Sequence, residues 1–310
     1  MHSSHREPLA GEPPVALVSV FGAGPGGGNP APIVLDARGL NAAQMRAIAA
    51  HYGHESAFVL PPEDAANDFR LRFFVPNHEM EMCGHATVGA LWLLKHQGLW
   101  SGAPARIETV SGIVQGQYHP GAAGAPHIEI SQPPGHIEVV SDAALLAQLR
   151  AVLRIGEDAQ LALPVLNART SRVKTLIALA SPQRLHALQP DYAGVEAVCA
   201  VLGSTGLYPF AVEDAAHGVF QARQFPRASG YPEDAATGIA AAALLYGLQH
   251  YGLVAAGSAP ITVRQGVAMG RPSAIAVRFA APTPAPSGTP AAVPACWLGG
   301  VVHPIDIATP

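Results

Sequence analysis

One order of segments occurs twice along this chain, and that repetition constrains its fold more than any other feature. In the first half an apolar strand, Ser56 to Leu60, stops at Pro61 and Pro62. Phe69, Leu71, Phe73 and Val75 then alternate as in a half-buried strand. After Pro76 come NHEMEMCGHAT and an apolar-periodic stretch through Val88, Leu91, Trp92 and Leu94, stopped at Gly98. A hairpin-like segment from Ile107 to Tyr118, turning near Ser111 and Gly112, closes the set. The second half gives the strand GLYPFAVE, then FQARQFP in the place of FRLRFFVP, then GYPEDAATG. A helix-like Ile239 to Leu248 and a hairpin-like Ile261 to Arg271 follow. Pro76 precedes Thr87, and Pro226 precedes Thr237, by the same eleven residues. Such an echo is read as an internal duplication. It predicts an α+β chain of two pseudo-symmetric lobes, with the functional site in a cleft between them.

Each half also has a lead-in. Val15 to Phe21 reads as a strand ended by the glycine-rich GAGPGGGNP. Asn41 with Gln44 makes a capping-box start for a helix that Gly53 closes. In the second half Val173 to Ala180 is a strand and Tyr192 to Leu202 a helix. Ser141 is expected to cap a further helix through Leu145, Leu146, Leu149 and Leu153, which has no counterpart in the first half. Pro120 to Pro126 is the expected hinge. The lobes are therefore drawn as residues 1–120, with the C-terminal strand 296–310 able to join them, and residues 126–285. The segment APTPAPSGTPAAVPA, 281–295, cannot make regular ladders because proline lacks the donor. It is expected to be a long exposed loop before a last strand, Cys296 to Val302.

Composition narrows the function. A chain of 310 residues with 49% hydrophobic content can bury two real cores. A net charge of −4 offers no basic footprint for nucleic acid or an anionic membrane. No stretch approaches the roughly 20 apolar residues of a membrane span, and MHSSHREP carries no apolar signal region. Three scattered cysteines (Cys83, Cys199 and Cys296) make no disulfide framework and suit a reducing, cytoplasmic setting. The fourteen histidines are dispersed without HExxH or paired ligand spacing, so no metal is expected. Small-molecule chemistry remains.

That chemistry is expected where a loop meets a helix start. Cys83 to Thr87 (CGHAT) and Glu233 to Gly238 (EDAATG) occupy matching places in the two halves. The first backbone N–H groups of a helix lack intrahelical partners, and the helix dipole favours negative charge there. Two such starts could cradle a substrate carboxylate or the charge of an enolate. Gly84 and Gly238 would let a ligand approach the backbone closely.

FVPNHEMEMCGHATVGA, HESAFV and YPEDAATGIAAAA, with GNPAPIVLD near the start and QGVAMGRPS near the end, resemble the motifs of the PhzF phenazine-biosynthesis family. The resemblance implies the diaminopimelate-epimerase-like fold, each lobe a mostly antiparallel sheet or barrel around a central helix. It implies a homodimer, and an isomerase that needs neither cofactor nor metal. In such an enzyme a carboxylate takes a proton from one carbon of a small carboxylated substrate and returns it to another. The family's catalytic glutamate falls on Glu55, its histidine on His85 and its second-lobe aspartate on Asp234. Gly84, Gly238 and position 239 fall at the substrate. Two departures stand out. Ala235 replaces the usual proline, and Ile239 replaces a serine whose hydroxyl would contact the substrate.

The residue types suit the role. A carbon acid needs a base that titrates near working pH, and Glu55 opens an apolar strand that would help dehydrate it. Asp234 could hold a substrate amino or hydroxyl group, complete a relay with His85, or cap the helix. Glu233 is expected to be solvated. Related racemases use one thiol per lobe. Cys83 sits where the first would be, but its counterpart is Glu233, so Cys83 is expected to be buried and inert. An amino-acid racemase of the same fold and a catalytically silent binding protein remain the alternatives.

Overall fold

In the computed structural model, residues 13–121, 126–257, 259–281, 293 and 295–306 are described. The N-terminal octapeptide and nearly all of the proline-rich segment 281–295 lie outside them. In chain order the first elements are β1 (Ala16–Val20), β2 (Asn29–Val34), α1 (Ala42–Tyr52), β3 (Ser56–Leu60), β4 (Phe69–Phe74) and β5 (Glu79–Met80). Then come α2 (Gly84–His96), β6 (Ala105–Thr109), β7 (Gly112–His119) and β8 (His127–Gln132). The later elements begin with β9 (His136–Val139), α3 (Ala143–Leu153), β10 (Leu166–Arg169), β11 (Val173–Ala178), α4 (Pro182–His186) and α5 (Tyr192–Leu202). They end with β12 (Gly206–Asp214), β13 (Val219–Ala222), β14 (Phe225–Pro226), α6 (Gly238–His250), β15 (Ile261–Gln265), β16 (Ser273–Phe279) and β17 (Cys296–Asp306).

The chain divides into two compact units. The first comprises residues 1–22, 28–131 and 299–310, and the second residues 23–27 and 132–298. In the first, β1 pairs with β2, β2 with β3, β3 with β4, β4 with β6, β6 with β7 and β7 with β8. β17 joins β8 back to β1, so these strands close into a barrel without free edges. Inside runs α2, packed on β1, β2, β3 and β7. Every residue from Gly84 to Leu91 is buried, as expected for a helix that is apolar nearly all round. Gly89 permits the close fit, since a Cβ there would stand 3.0 and 3.1 Å from the methyls of Val18 and Val20. Outside the barrel, Met45, Ile48 and Ala49 of α1 cover Val34, Phe58 and Phe74.

The second unit runs β9–β10–β11–β12–β13–β15–β16. Its helix α6 is buried from Gly238 to Leu248 and packs on β9, β10, β11 and β16. The pairing signs match those of the first unit. β10–β11 is antiparallel like β1–β2, β11–β12 parallel like β2–β3, and β12–β13 antiparallel like β3–β4. β13–β15 is parallel like β4–β6, and β15–β16 antiparallel like β6–β7. The duplication read from segment order is thus present in the topology.

Several local expectations change. Residue 131, not the Pro120–Pro126 stretch, ends the first unit's central segment, because β7 and β8 pair across that stretch as two strands of one barrel. Asp142 rather than Ser141 caps α3, its carboxylate accepting the N–H groups of Ala144 and Leu145. The second strand of the later hairpin begins at Ser273, beyond Arg271. β17 continues to Asp306. β2 was hidden by Pro30 and Pro32. They lie two residues apart on the same strand edge, and pairing to β3 involves only Ile33 and Val34, so the missing donors interrupt no ladder there. The capping box forms as read. Asn41 accepts from Ala43 and Gln44, Gln44 accepts from Asn41, and Gly53 takes the left-handed conformation at φ 70°.

Candidate active site

In the first unit the end of α1 and the start of α2 bring three reactive side chains together. Glu55 lies between Gly53, which stops α1, and Ser56, which begins β3. Its side chain is 14% exposed. Cys83 occupies the N-cap position of α2 in extended backbone and makes no capping bond with its side chain. Instead its thiol donates to Glu55 Oε2 across 2.9 Å. His85 is buried, with Nδ1 3.6 Å from Glu55 Oε2 and 3.4 Å from Cys83 Sγ. Its Nε2 is buried without a hydrogen-bond partner. Thr87, the last residue of CGHAT, turns its hydroxyl back to the Cys83 carbonyl at 2.7 Å and fixes the first turn.

The second unit builds a polar knot at the start of α6. Asp234 is half-buried, and its Oδ2 accepts from Thr237 Oγ1 at 2.5 Å. Gln265 ties the loop down. Its amide donates to the Asp234 carbonyl at 2.7 Å and to Thr237 Oγ1 at 3.1 Å, and its Oε1 accepts the Thr237 N–H at 3.2 Å. The buried Tyr208 hydroxyl donates to the same Oε1 at 3.0 Å. Burial, reinforced by the charge of Asp234, pushes the Tyr208 phenol well above its ordinary range, so it stays a donor. Gly266 must be glycine, because its φ is 74° and a Cβ would stand 2.8 Å from the Ala235 carbonyl and 2.2 Å from that of Arg271.

The structure therefore gathers Glu55, Gly84 and His85 in one unit, and Asp234, Gly238 and Ile239 in the other. Asp234 is not the helix cap, since Thr237 holds that position. Glu233 is not solvated. It is 9% exposed and forms a bidentate pair with buried Arg223 at 2.8 and 2.7 Å. Arg223 also donates to the Leu188 carbonyl at 2.8 Å. Glu233 is thus a structural anchor for the loop that carries Asp234. Thr237, Gln265 and Tyr208 were not singled out from sequence. Gln265 and Thr237 lie within the quoted motifs, but nothing in their spacing shows that they meet. A polar depression of about 560 Å³ lined by Glu63, Arg70, Arg72 and Glu108 includes none of the candidate residues.

Among the described residues no helix is long and apolar enough to cross a membrane. Donor atoms of Glu55, Cys83 and His85, and separately of His119, His127 and Glu129, lie within 4.8 Å of one another, spacing that a metal ion could use.

Known proteins are similar to this chain over most of its length. The Escherichia coli O157:H7 uncharacterized isomerase YddE is 31% identical over 276 residues, covering 86% of this chain and 90% of the relative. The trans-2,3-dihydro-3-hydroxyanthranilate isomerase of Pseudomonas fluorescens is 29% identical, covering 83% and 87%. Among solved structures, a PhzF-family phenazine biosynthesis protein from Bacillus anthracis superposes with a TM-score of 0.81 at 24% identity, covering 94% and 96%. A hydroxyproline epimerase from Agrobacterium vitis shares the fold at a TM-score of 0.60 and 13% identity, covering 94% and 89%. Fold and relatives together define an isomerase on an epimerase-like α+β scaffold. The profile of phenazine biosynthesis-like proteins (PhzC-PhzF) matches residues 18–286, and the chain belongs to that family.

Proposed function

We propose that this protein is a cofactor-independent isomerase that moves a proton between carbons of a small carboxylated substrate, with Glu55 as the general acid/base. The observation that carries this reading is the placement of Glu55. Its carboxylate is largely withdrawn from water and held by the Cys83 thiol beside His85. A base fixed in this way is pre-positioned for proton transfer. His85 Nε2, buried without a partner, is an unmet hydrogen-bonding group that a polar substrate atom would satisfy. The first backbone N–H groups of α2 and of α6 are each suited to a carboxylate. Asp234, oriented by Thr237, is the group assigned to a substrate amino or hydroxyl function.

A two-thiol racemase is the weaker reading. Cys199 and Cys296 are buried, and burial pushes their thiols up to about 11 and about 12, so neither is a poised thiolate. The Cys83 counterpart, Glu233, is committed to Arg223.

The experiment is incubation in D₂O with trans-2,3-dihydro-3-hydroxyanthranilate and a panel of small cyclic amino and hydroxy acids, read by NMR and mass spectrometry. Deuterium entering at a carbon other than the one deprotonated supports the isomerase. Deuterium at an inverted stereocentre, with no shift of position, selects the racemase. Binding with no exchange selects a silent homologue.

A further inference from the structure

We propose that His119, His127 and Glu129 form a transition-metal site that clips the β7–β8 hairpin of the first unit, independently of the isomerase site. His119 and His127 are direct cross-strand partners. Glu129 lies two residues beyond His127 and so projects from the same face of β8. The three side chains converge. His119 Nε2 lies 3.0 Å from Glu129 Oε2, and His127 Nε2 lies 4.0 Å from Glu129 Oε1. The two rings stack with centroids 4.7 Å apart and 16° between planes, so at least one must turn out of the stack to aim both in-plane lone pairs at a shared ion. Donors about 2.1 Å from a tetrahedral ion stand about 3.4 Å from one another. The two separations, one to each Glu129 oxygen, straddle that value, and one donor atom from each residue lies within 4.8 Å of the others.

The surroundings suit a cation. The Glu129 side chain is 7% exposed and is pinned against β17, where a Cβ on Gly299 would stand 2.8 Å from its Cγ. A buried carboxylate is stabilised by a positive partner. The imidazoles are 37% and 32% exposed, so an ion has a path from solvent. Two imidazoles and one carboxylate select zinc, nickel or copper over magnesium or calcium, which prefer oxygen shells. Bound only to the native hairpin, the ion raises stability by mass action.

The test uses tag-free full-length protein stripped of metal. Zinc chloride is titrated by calorimetry, thermal unfolding is followed with and without zinc, and cobalt serves as a spectroscopic stand-in. Wild type is expected to take up about one zinc per chain and to unfold several degrees higher with it. His119→Ala and His127→Ala should each weaken binding by at least about tenfold, and Cys83→Ser should not weaken it. His127→Gln replaces the alanine variant if circular dichroism shows that variant unfolded. Bound cobalt should lack a near-ultraviolet thiolate band. Absence of saturable binding to wild type, equal binding by the histidine variants, or loss of binding in Cys83→Ser with a thiolate band would each overturn the site.

Discussion

Cys83 spends its thiol proton on Glu55, with Sγ 2.9 Å from Oε2 although the two residues lie 28 apart in sequence. The N-cap of α2 thus serves a neighbouring carboxylate instead of its own helix. A carboxylate bound by a donor and flanked by an imidazole is oriented before any substrate arrives. The cost is a first turn of α2 whose N–H groups have no side-chain cap; Thr87 bonds to the Cys83 carbonyl but supplies those N–H groups with no acceptor.

Replacing Glu55 with Gln should leave the fold intact and remove proton exchange. The amide has nearly the same shape and still accepts from Cys83 but cannot carry a proton at neutral pH. General acid/base catalysis contributes roughly 10²- to 10⁴-fold, and the exchange rate should fall by that order. Near-wild-type deuterium uptake by a folded Glu55→Gln protein would remove Glu55 from the mechanism.

Cys83→Ser and Cys83→Ala should separate a supporting thiol from a reacting one. Serine keeps a donor within reach of Glu55 Oε2, so most turnover should survive. Alanine removes the donor, and a hydrogen bond to a charged group is worth about 1.5–3 kcal/mol, so turnover should drop further. Loss of activity in the folded serine variant would instead favour a thiol acid/base and the racemase reading.

Arg223→Met should be among the most destabilising single changes. It strips a buried carboxylate, Glu233, of both its bonds and leaves the Leu188 carbonyl short of a donor. Breaking a buried pair from one side costs about 3–5 kcal/mol. A chemical-denaturation midpoint within error of wild type would show the pair to be dispensable.

Stability should also fall in alkali. Burial raises Cys199 from 9.0 to about 11, and raises Cys296 from 9.0 to about 12 despite its hydrogen bond with Tyr246. Burial likewise raises the phenols of Tyr208, Tyr246 and Tyr251 above 10.0. These groups hold their protons more tightly when folded, so the stabilisation is complete below the unfolded values and is lost as pH climbs past them. Thermal midpoints should hold steady up to about pH 8.5 and decline above about pH 9. A flat profile to pH 11 would contradict the burial of these groups.

Much of this was legible in the sequence where local rules act alone. The Asn41–Gln44 capping box, the alternation of Phe69, Leu71 and Phe73, and the glycine-led helices at Gly84 and Gly238 all follow from nearest-neighbour chemistry. What escaped depends on chain segments meeting at a distance. Glu233 looks like a surface acid until β13 delivers Arg223 to it. Gln265 shows no sign that it will tie Thr237 to Asp234. His119, His127 and Glu129 have no recognisable ligand spacing, because it is the hairpin register that sets them side by side. Pro30 and Pro32 lack the donors a strand normally offers, and they fit in β2 because its pairing with β3 is confined to Ile33 and Val34.

Ile239 should set specificity. It is the second residue of α6, only 8% exposed, where the resemblance to the PhzF family places a serine hydroxyl against the substrate. An isoleucine side chain can neither donate nor accept and is bulkier. A substrate polar group brought to this position therefore loses its partner, at about 1–3 kcal/mol. With about 1.4 kcal/mol per factor of ten, that corresponds to roughly a 5- to 150-fold loss before steric clash is counted. The backbone N–H at 239 survives the replacement, so under the proposed function carboxylate capture should persist while preference moves toward a more apolar ligand. The native protein should turn over trans-2,3-dihydro-3-hydroxyanthranilate poorly, and Ile239→Ser should recover a rate gain within that range, read as kcat/KM on the same compound. Efficient native turnover, or no gain from the serine, would show that position 239 does not govern the choice of substrate.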